Sequence, residues 1–232
     1  MAVSPVLHYI HDPLCGWCYG AAPLLAAASR LDGLRIVLHA GGLFTGSNRQ
    51  PVSEGLRQHV LPQDRRIAEL SGQAFGSAYF DGLLRDIGAV LDSAPPSAAI
   101  LAAEALAGQG LAMLQAVQLA HYQHGRRIAD PAVLQELAEQ LGLPAAAFAA
   151  ALQQQEGAPL AAHIGASRRL LAQLGGSGFP TLALERDGRY QLLEVGRYFG
   201  RPEAFRALLA QAPNGATPTV ERTCNPAAAD RC

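Results

Sequence analysis

The strongest constraint in this chain is a pair of cysteines, Cys15 and Cys18, placed where an apolar strand hands over to a helix. Val6 to Ile10 is a short apolar stretch that reads as a buried strand. Asp12-Pro13 ends it, Cys15-Gly16-Trp17-Cys18 follows, and Ala21 to Leu31, rich in Ala and Leu, reads as a helix. Leu34 to His39 reads as a second strand, stopped by Gly41-Gly42. Strand, CxxC, helix and strand in so short a stretch predict a parallel βαβ unit. At such a junction the first thiol meets unpaired N–H groups and the positive end of the helix dipole. That setting favours a thiolate, which is the attacking species in disulfide exchange. A second thiol three residues on is within reach to resolve a mixed disulfide. CxxC alone is equally half of a zinc site; its position in a βαβ unit favours redox chemistry.

From about Ser53 to Leu174 the pattern is helical and shows no convincing strand. Ile67, Leu70 and Ala74 recur at helical spacing, Ala98 to Leu106 follows two prolines, and Leu111, Leu114 and Gln118 continue the pattern. Asp130-Pro131 predicts a helix start with the carboxylate as cap, ahead of the stripe Val133, Leu134, Leu137 and Leu141. Pro144 opens an Ala-rich helix, and His163 to Leu174 reads as another. Strands return at Thr181 to Leu184 and Tyr190 to Val195, joined across the hairpin signal Asp187-Gly188. Pro202 opens a last amphipathic helix. The expected architecture is therefore α/β: βαβ, an inserted all-helical domain, then ββα. The expected boundaries are 1–45 with 175–212 for the sheet domain and 46–174 for the helical insertion. A C-terminal tail, 213–232, carries Cys224 and Cys232.

Composition removes several function classes. All 18 basic residues are arginine, so Schiff-base and P-loop lysine chemistry are excluded. A net charge of -1 gives no footprint for nucleic acid or an anionic membrane. No apolar run is long and uninterrupted enough to span a bilayer. The N-terminus lacks the basic start of a secretory signal, so a cytoplasmic location is expected. His121 and His124 have no carboxylate at matching spacing, and His59 and His163 stand alone. The glycine pairs lack a nucleotide-loop setting, and there is no Gly-x-Ser-x-Gly elbow. No metal and no resident cofactor is expected.

The strand–CGWC–helix opening, the helical insertion and Gly178-Phe179-Pro180-Thr181 together resemble the DsbA family of thioredoxin-fold proteins. Asp12, Pro13, Cys15, Trp17 and Cys18, with the segment Arg127 to Pro131, are most similar to its FrnE-like branch of predicted protein-disulfide isomerases. The resemblance covers about residues 5 to 210. Local physics makes Pro180 a strand-start proline; the resemblance implies instead that it is cis and faces the CxxC. It further implies that Phe179 and Pro180 expose backbone that pairs with a substrate strand by β-augmentation. Trp17, bulky and uncharged between the cysteines, reads equally as a contact for an incoming chain and as packing on the helix end. DsbA itself carries a histidine between its cysteines, whereas this chain has the uncharged Gly16-Trp17. The expected potential is therefore less oxidising than DsbA's roughly −120 mV and nearer thioredoxin's roughly −270 mV.

These readings predict a thiol–disulfide oxidoreductase acting as reductase or isomerase, with Cys15 as nucleophile and Cys18 as resolving thiol. The expected partners are protein thiols and disulfides, with glutathione or thioredoxin as electron donor, in a monomer or homodimer. His11 and Asp12 are candidates to tune Cys15. Cys224 and Cys232 are candidates for a second redox pair, against the reading of two incidental thiols or of a four-cysteine zinc site. Two other functions compete. One is a glutathione-linked isomerase or transferase of the 2-hydroxychromene-2-carboxylate isomerase/kappa type, which carries serine where Cys15 sits. The other is a redox-switched, chaperone-like client binder using the helical insertion.

Overall fold

The computed structural model describes residues 4–211. Its main sheet has four strands in the order β2-β1-β5-β6. Strand β1 (Val6–His11) lies in the interior, pairing parallel with β2 (Arg35–Ala40) and antiparallel with β5 (Thr181–Arg186). Every residue of β1 is buried. A strand covered on both faces needs no polar alternation, which is why VLHYIH reads as a continuous apolar run despite its histidines. The far edge is β6 (Arg189–Leu193), joined to β5 by Asp187-Gly188. Both turn residues have positive φ, 51° and 74°, as a tight hairpin of this type requires.

The helix after the dithiol comes in two pieces, α1 (Gly16–Gly20) and α2 (Ala22–Ala28), rather than one segment over Ala21 to Leu31. Pro23 falls in the first turn of α2 and has no N–H to continue a ladder from α1. Helix α2 packs on the last helix, α9 (Pro202–Ala210).

Between β2 and β5 the chain forms six α-helices: α3 (Glu54–Ser71), α4 (Ala94–Ala107), α5 (Gly110–Tyr122), α6 (Pro131–Gln140), α7 (Ala145–Gln155) and α8 (Ala158–Gln173). Ser53 caps α3 through its side chain, which accepts from Leu56 N–H at 3.2 Å. Asp130 takes the N-cap position of α6, but its carboxylate makes no capping bond, contrary to the sequence expectation. The last helix of the block begins at Ala158, five residues before the expected His163, because Pro159 suits a first turn. A short antiparallel pair, β3 (Gln50–Pro51) with β4 (Val90–Leu91), also interrupts this helical region. Two-residue strands are too short to leave an alternating pattern, so the expectation of no strand there misses β4.

The buried apolar side chains form one contiguous cluster. It runs from Leu7 and Tyr9 in the sheet, through Cys18 and Leu24, to Met113, Leu114 and Phe148 in the helical region. The dithiol lies within this shared core, so groups from both parts of the chain set its surroundings.

Candidate active site

Cys15 occupies the N-cap of α1 with extended backbone, and both it and Cys18 are free thiols. They differ in access: Cys15 is 8 % exposed and Cys18 is fully buried. The Cys18 thiol is within hydrogen-bonding reach of the Cys15 side chain, and the Tyr9 hydroxyl donates to the Cys18 carbonyl at 3.2 Å. Burial, followed by the hydrogen bond to Cys15, holds the Cys18 thiol well above its ordinary pKa. The outer sulfur is therefore the one a substrate can reach, while the inner one keeps its proton.

On the outer side Cys15 Sγ lies 3.5 Å from the carbonyl oxygen of Phe179. The Phe179–Pro180 bond is cis. The Phe179 ring rests against Gly41, where a Cβ would fall 2.1 Å from the ring; glycine here permits close approach. Arg168, from α8, lies over the same ring at 5.0 Å and donates to the carbonyls of Gly41 and Gly42 at 2.5 and 3.1 Å. A groove of about 340 Å³ runs beside Phe179, lined by residues 175–181 with Leu192, Leu193 and Val195. Trp17 is half-buried and packs on Phe199, ring centroids 5.4 Å apart.

On the inner side two carboxyl groups are buried. Asp12 accepts from Leu14 N–H at 2.9 Å, Leu43 N–H at 2.6 Å and the Ser93 hydroxyl at 2.8 Å. It thereby ties the dithiol turn to the loop after β2 and to the entrance of α4. Burial raises its pKa to about 6 against the opposing pull of those donors. Asp64, from α3, is likewise raised by burial to about 6, with the Tyr79 hydroxyl donating to it at 2.8 Å. Its other oxygen sits so near the dithiol helix that a Cβ on Gly16 would lie 2.6 Å away. Tyr19 and Tyr122 stack at 4.8 Å to complete an aromatic wall with Phe75 and Tyr79.

The two tuning candidates have different neighbours. The backbone of Asp12 hydrogen-bonds to Cys18 and lowers its pKa, and the charge of Asp12 opposes this more weakly. His11 is fully buried, stacks on Tyr9 at 5.0 Å, and has no hydrogen-bond partner at either ring nitrogen. Burial, then repulsion from His163 and His39, pushes its pKa to about 3, so the ring is neutral. Thus the structure brings together Cys15, Cys18, Asp12, Phe179 and Pro180. Sequence reasoning missed Tyr9, Asp64, Tyr79, Tyr122 and Arg168. Four of these come from other elements far along the chain, and no spacing links them to CGWC. Among the described residues no group of three or more His, Cys, Asp or Glu is placed to hold a metal ion. Cys224 and Cys232 lie outside the described residues.

A reachable thiol backed by a sealed, protonated one, beside an open backbone carbonyl, can exchange one disulfide for another. On this α/β sheet that chemistry defines a thiol–disulfide oxidoreductase of thioredoxin-like fold. Residues 7–204 match the DSBA-like thioredoxin domain, and the chain belongs to that family. It is similar to the cytosolic disulfide reductase DsbM of Pseudomonas aeruginosa, at 60% identity over 88% of this chain and 96% of that one, with a TM-score of 0.84. A structure of DsbM with GSH matches at 57% identity over 88% and 96% of the chains, TM-score 0.82. A protein from Nitrosomonas europaea named as a protein disulfide isomerase matches at 28% identity over 89% and 96%, TM-score 0.73. A search of curated proteins by sequence gave no significant match. Among the described residues no helix is long and apolar enough to cross a membrane.

Proposed function

We propose that the protein is a cytosolic disulfide reductase that draws its electrons from glutathione. The Cys15 thiolate attacks one sulfur of a substrate disulfide. A Cys15–substrate disulfide forms, and the other substrate sulfur leaves as a thiolate. Cys18 gives up its proton and attacks Cys15, closing the Cys15–Cys18 disulfide and releasing the second substrate thiol. Two glutathione molecules then reduce the enzyme in the same two displacements and leave as glutathione disulfide. Phe179 and Pro180 present backbone to the substrate, Trp17 borders the thiols, and the proton of Cys18 leaves with the second substrate thiol. This division of roles rests on one observation: Cys15, and not Cys18, faces the Phe179 carbonyl. The cytosolic setting and the choice of glutathione rest on the likeness to DsbM. A reducing compartment favours reduction or shuffling over net oxidation. The intact dithiol weighs against the isomerase or transferase reading, whose proteins carry serine in place of Cys15.

The test is glutathione-coupled reduction of a protein disulfide such as that of insulin. Cys15→Ser is expected to lower turnover by about a thousandfold or more, since Cys18, the other cysteine among the described residues, is fully buried. Cys18→Ser is expected to accumulate a mixed disulfide on Cys15. Turnover that survives Cys15→Ser would overturn the assignment.

A further inference from the structure

We propose that Arg168 makes this site selective for disulfides that carry a carboxylate, glutathione disulfide being the one it meets as substrate or product. The inference rests on the thiol–disulfide reading above and adds to it the residue that chooses the partner. Arg168 is exposed, yet it is held in place. Its Nε and one terminal nitrogen donate to the Gly41 and Gly42 carbonyls, and its Cζ lies over the Phe179 ring, 5.0 Å from the centroid. The carbonyl of that same Phe179 touches Cys15 Sγ. The guanidinium and the attacking sulfur thus contact the same residue, Phe179, and the loop carbonyls hold the guanidinium before any ligand arrives.

Two of its five N–H donors are used on the loop. Among the described residues no carboxylate lies within ion-pair distance of it. Asp12 feels its charge, but that carboxyl is buried and already accepts three hydrogen bonds. The groove beside Phe179 is lined by uncharged residues throughout, so it supplies no competing cation. A planar cation with spare donors, held against the ring of the residue whose carbonyl touches the reacting sulfur, matches the carboxylate of a short peptide thiol. In the first exchange the Cys15 thiolate forms a bond to one glutathione sulfur and the glutathione S–S bond breaks. The departing glutathione leaves as a thiolate and takes a proton from water. Arg168 takes part in neither bond; it holds the carboxylate so that the S–S axis points at Cys15.

The experiment follows oxidation of the reduced protein through the fluorescence of Trp17, the single tryptophan of the chain. Three disulfides of different charge are compared: glutathione disulfide (anionic), hydroxyethyl disulfide (neutral) and cystamine (cationic). Each rate is divided by that of dithiothreitol with the same disulfide. The wild type is expected to favour glutathione disulfide over the neutral one by about fivefold, the scale of a partly exposed charge pair. Arg168→Gln brings that ratio close to one, and Arg168→Glu shifts it toward cystamine. A ratio unchanged in Arg168→Gln overturns the proposal. So does an equal loss on all three disulfides, which marks Arg168 as a strut for the Gly41–Gly42 loop alone. Raising ionic strength from about 0.05 to about 0.5 M gives a check that needs no variant: the preference for glutathione disulfide must fall while the neutral rate holds. A preference indifferent to salt contradicts the proposal. A wild type that reacts with none of the three contradicts the oxidoreductase reading itself, whereas one that reacts with all three without preference spares that reading and removes only the role of Arg168.

Discussion

On one flank of the dithiol, the Phe179–Pro180 turn and the Gly41–Gly42 loop leave a groove, a bare carbonyl and a guanidinium open to the outside. On the other, α1 backs onto α3 and α5, and Asp64, Tyr79 and Tyr122 fill the space. The open flank is mostly backbone, held by glycines that allow side chains to come close. The closed flank is mostly side chain, with two carboxyls whose pKa values burial lifts to about 6. The difference shows how a small dithiol site divides its tasks. Recognition needs exposed hydrogen-bonding groups that do not depend on substrate sequence. Control of the inner thiol needs charge in a medium that water does not screen.

Asp12 belongs to both flanks, and removing it should have the largest effect on stability. Asp12→Ala leaves the N–H groups of Leu14 and Leu43 and the hydroxyl of Ser93 without their acceptor. We expect a loss of about 3 kcal/mol in urea unfolding, the scale of several stranded donors that partly relax. A loss below about 1 kcal/mol would mean that the two flanks hold together without this bridge.

A matched pair of glycine variants separates the flanks at intermediate cost. In Gly41→Ala the new methyl meets the Phe179 ring, and in Gly16→Ala it meets Asp64 Oδ1 and Ile67 Cδ1. Gly41→Ala is expected to reduce turnover about tenfold, because a displacement of about 1 Å at a reacting centre has effects of that order or larger. Its stability should change little, since the ring can swing toward the groove. Gly16→Ala is expected to destabilise by about 1–3 kcal/mol, as overpacking against a buried neighbour does. Identical behaviour of the two variants would break the comparison.

The smallest effect concerns pH. Burial lowers His11 and His121 from 6.5 to about 3 and His39 to about 4. These rings are neutral when folded and charge on unfolding, so their contribution is full above pH 6.5 and is lost as pH falls toward 3. Asp12 and Asp64, raised from 3.8 to about 6, act in the opposite direction: their contribution is full below pH 3.8 and is lost as pH rises through 6. Between pH 4 and 6 the two sets largely offset, leaving a shallow decline on acidification. Replacing His121 with Phe removes one proton from the uptake on unfolding. The slope of stability against pH should then change by up to about 1.4 kcal/mol per pH unit, read from urea midpoints. An unchanged slope would show that His121 is not sealed as its surroundings indicate.

Much of this was legible in the residues because it is local. The apolar run of β1, the CGWC turn and the Asp187-Gly188 hairpin each state their conformation within a few positions. The helical stripes of α3 to α6 are periodic enough to read directly. The short β3–β4 pair left no trace, and the break between α1 and α2 turned on one proline. The closed flank was invisible for a different reason. Asp64, Tyr79 and Tyr122 are ordinary residues of helical segments until the fold brings them against α1. Arg168 reads as one more exposed helix arginine until Phe179 is found beneath it. The cis bond at Pro180 was implied by family resemblance, while the local sequence alone indicated a plain strand start.

The central claim is that Cys15 and Cys18 form a working redox couple with Cys15 outermost. The most direct test equilibrates the purified protein in glutathione buffers and reads alkylation of each cysteine by mass. The expected result is a reversible Cys15–Cys18 disulfide with a potential between roughly −280 and −120 mV, on the reducing side of that range, and a glutathione adduct on Cys15 when Cys18 is changed to Ser. Thiols that stay alkylatable across the whole range, or an adduct found on Cys18 in place of Cys15, would contradict it.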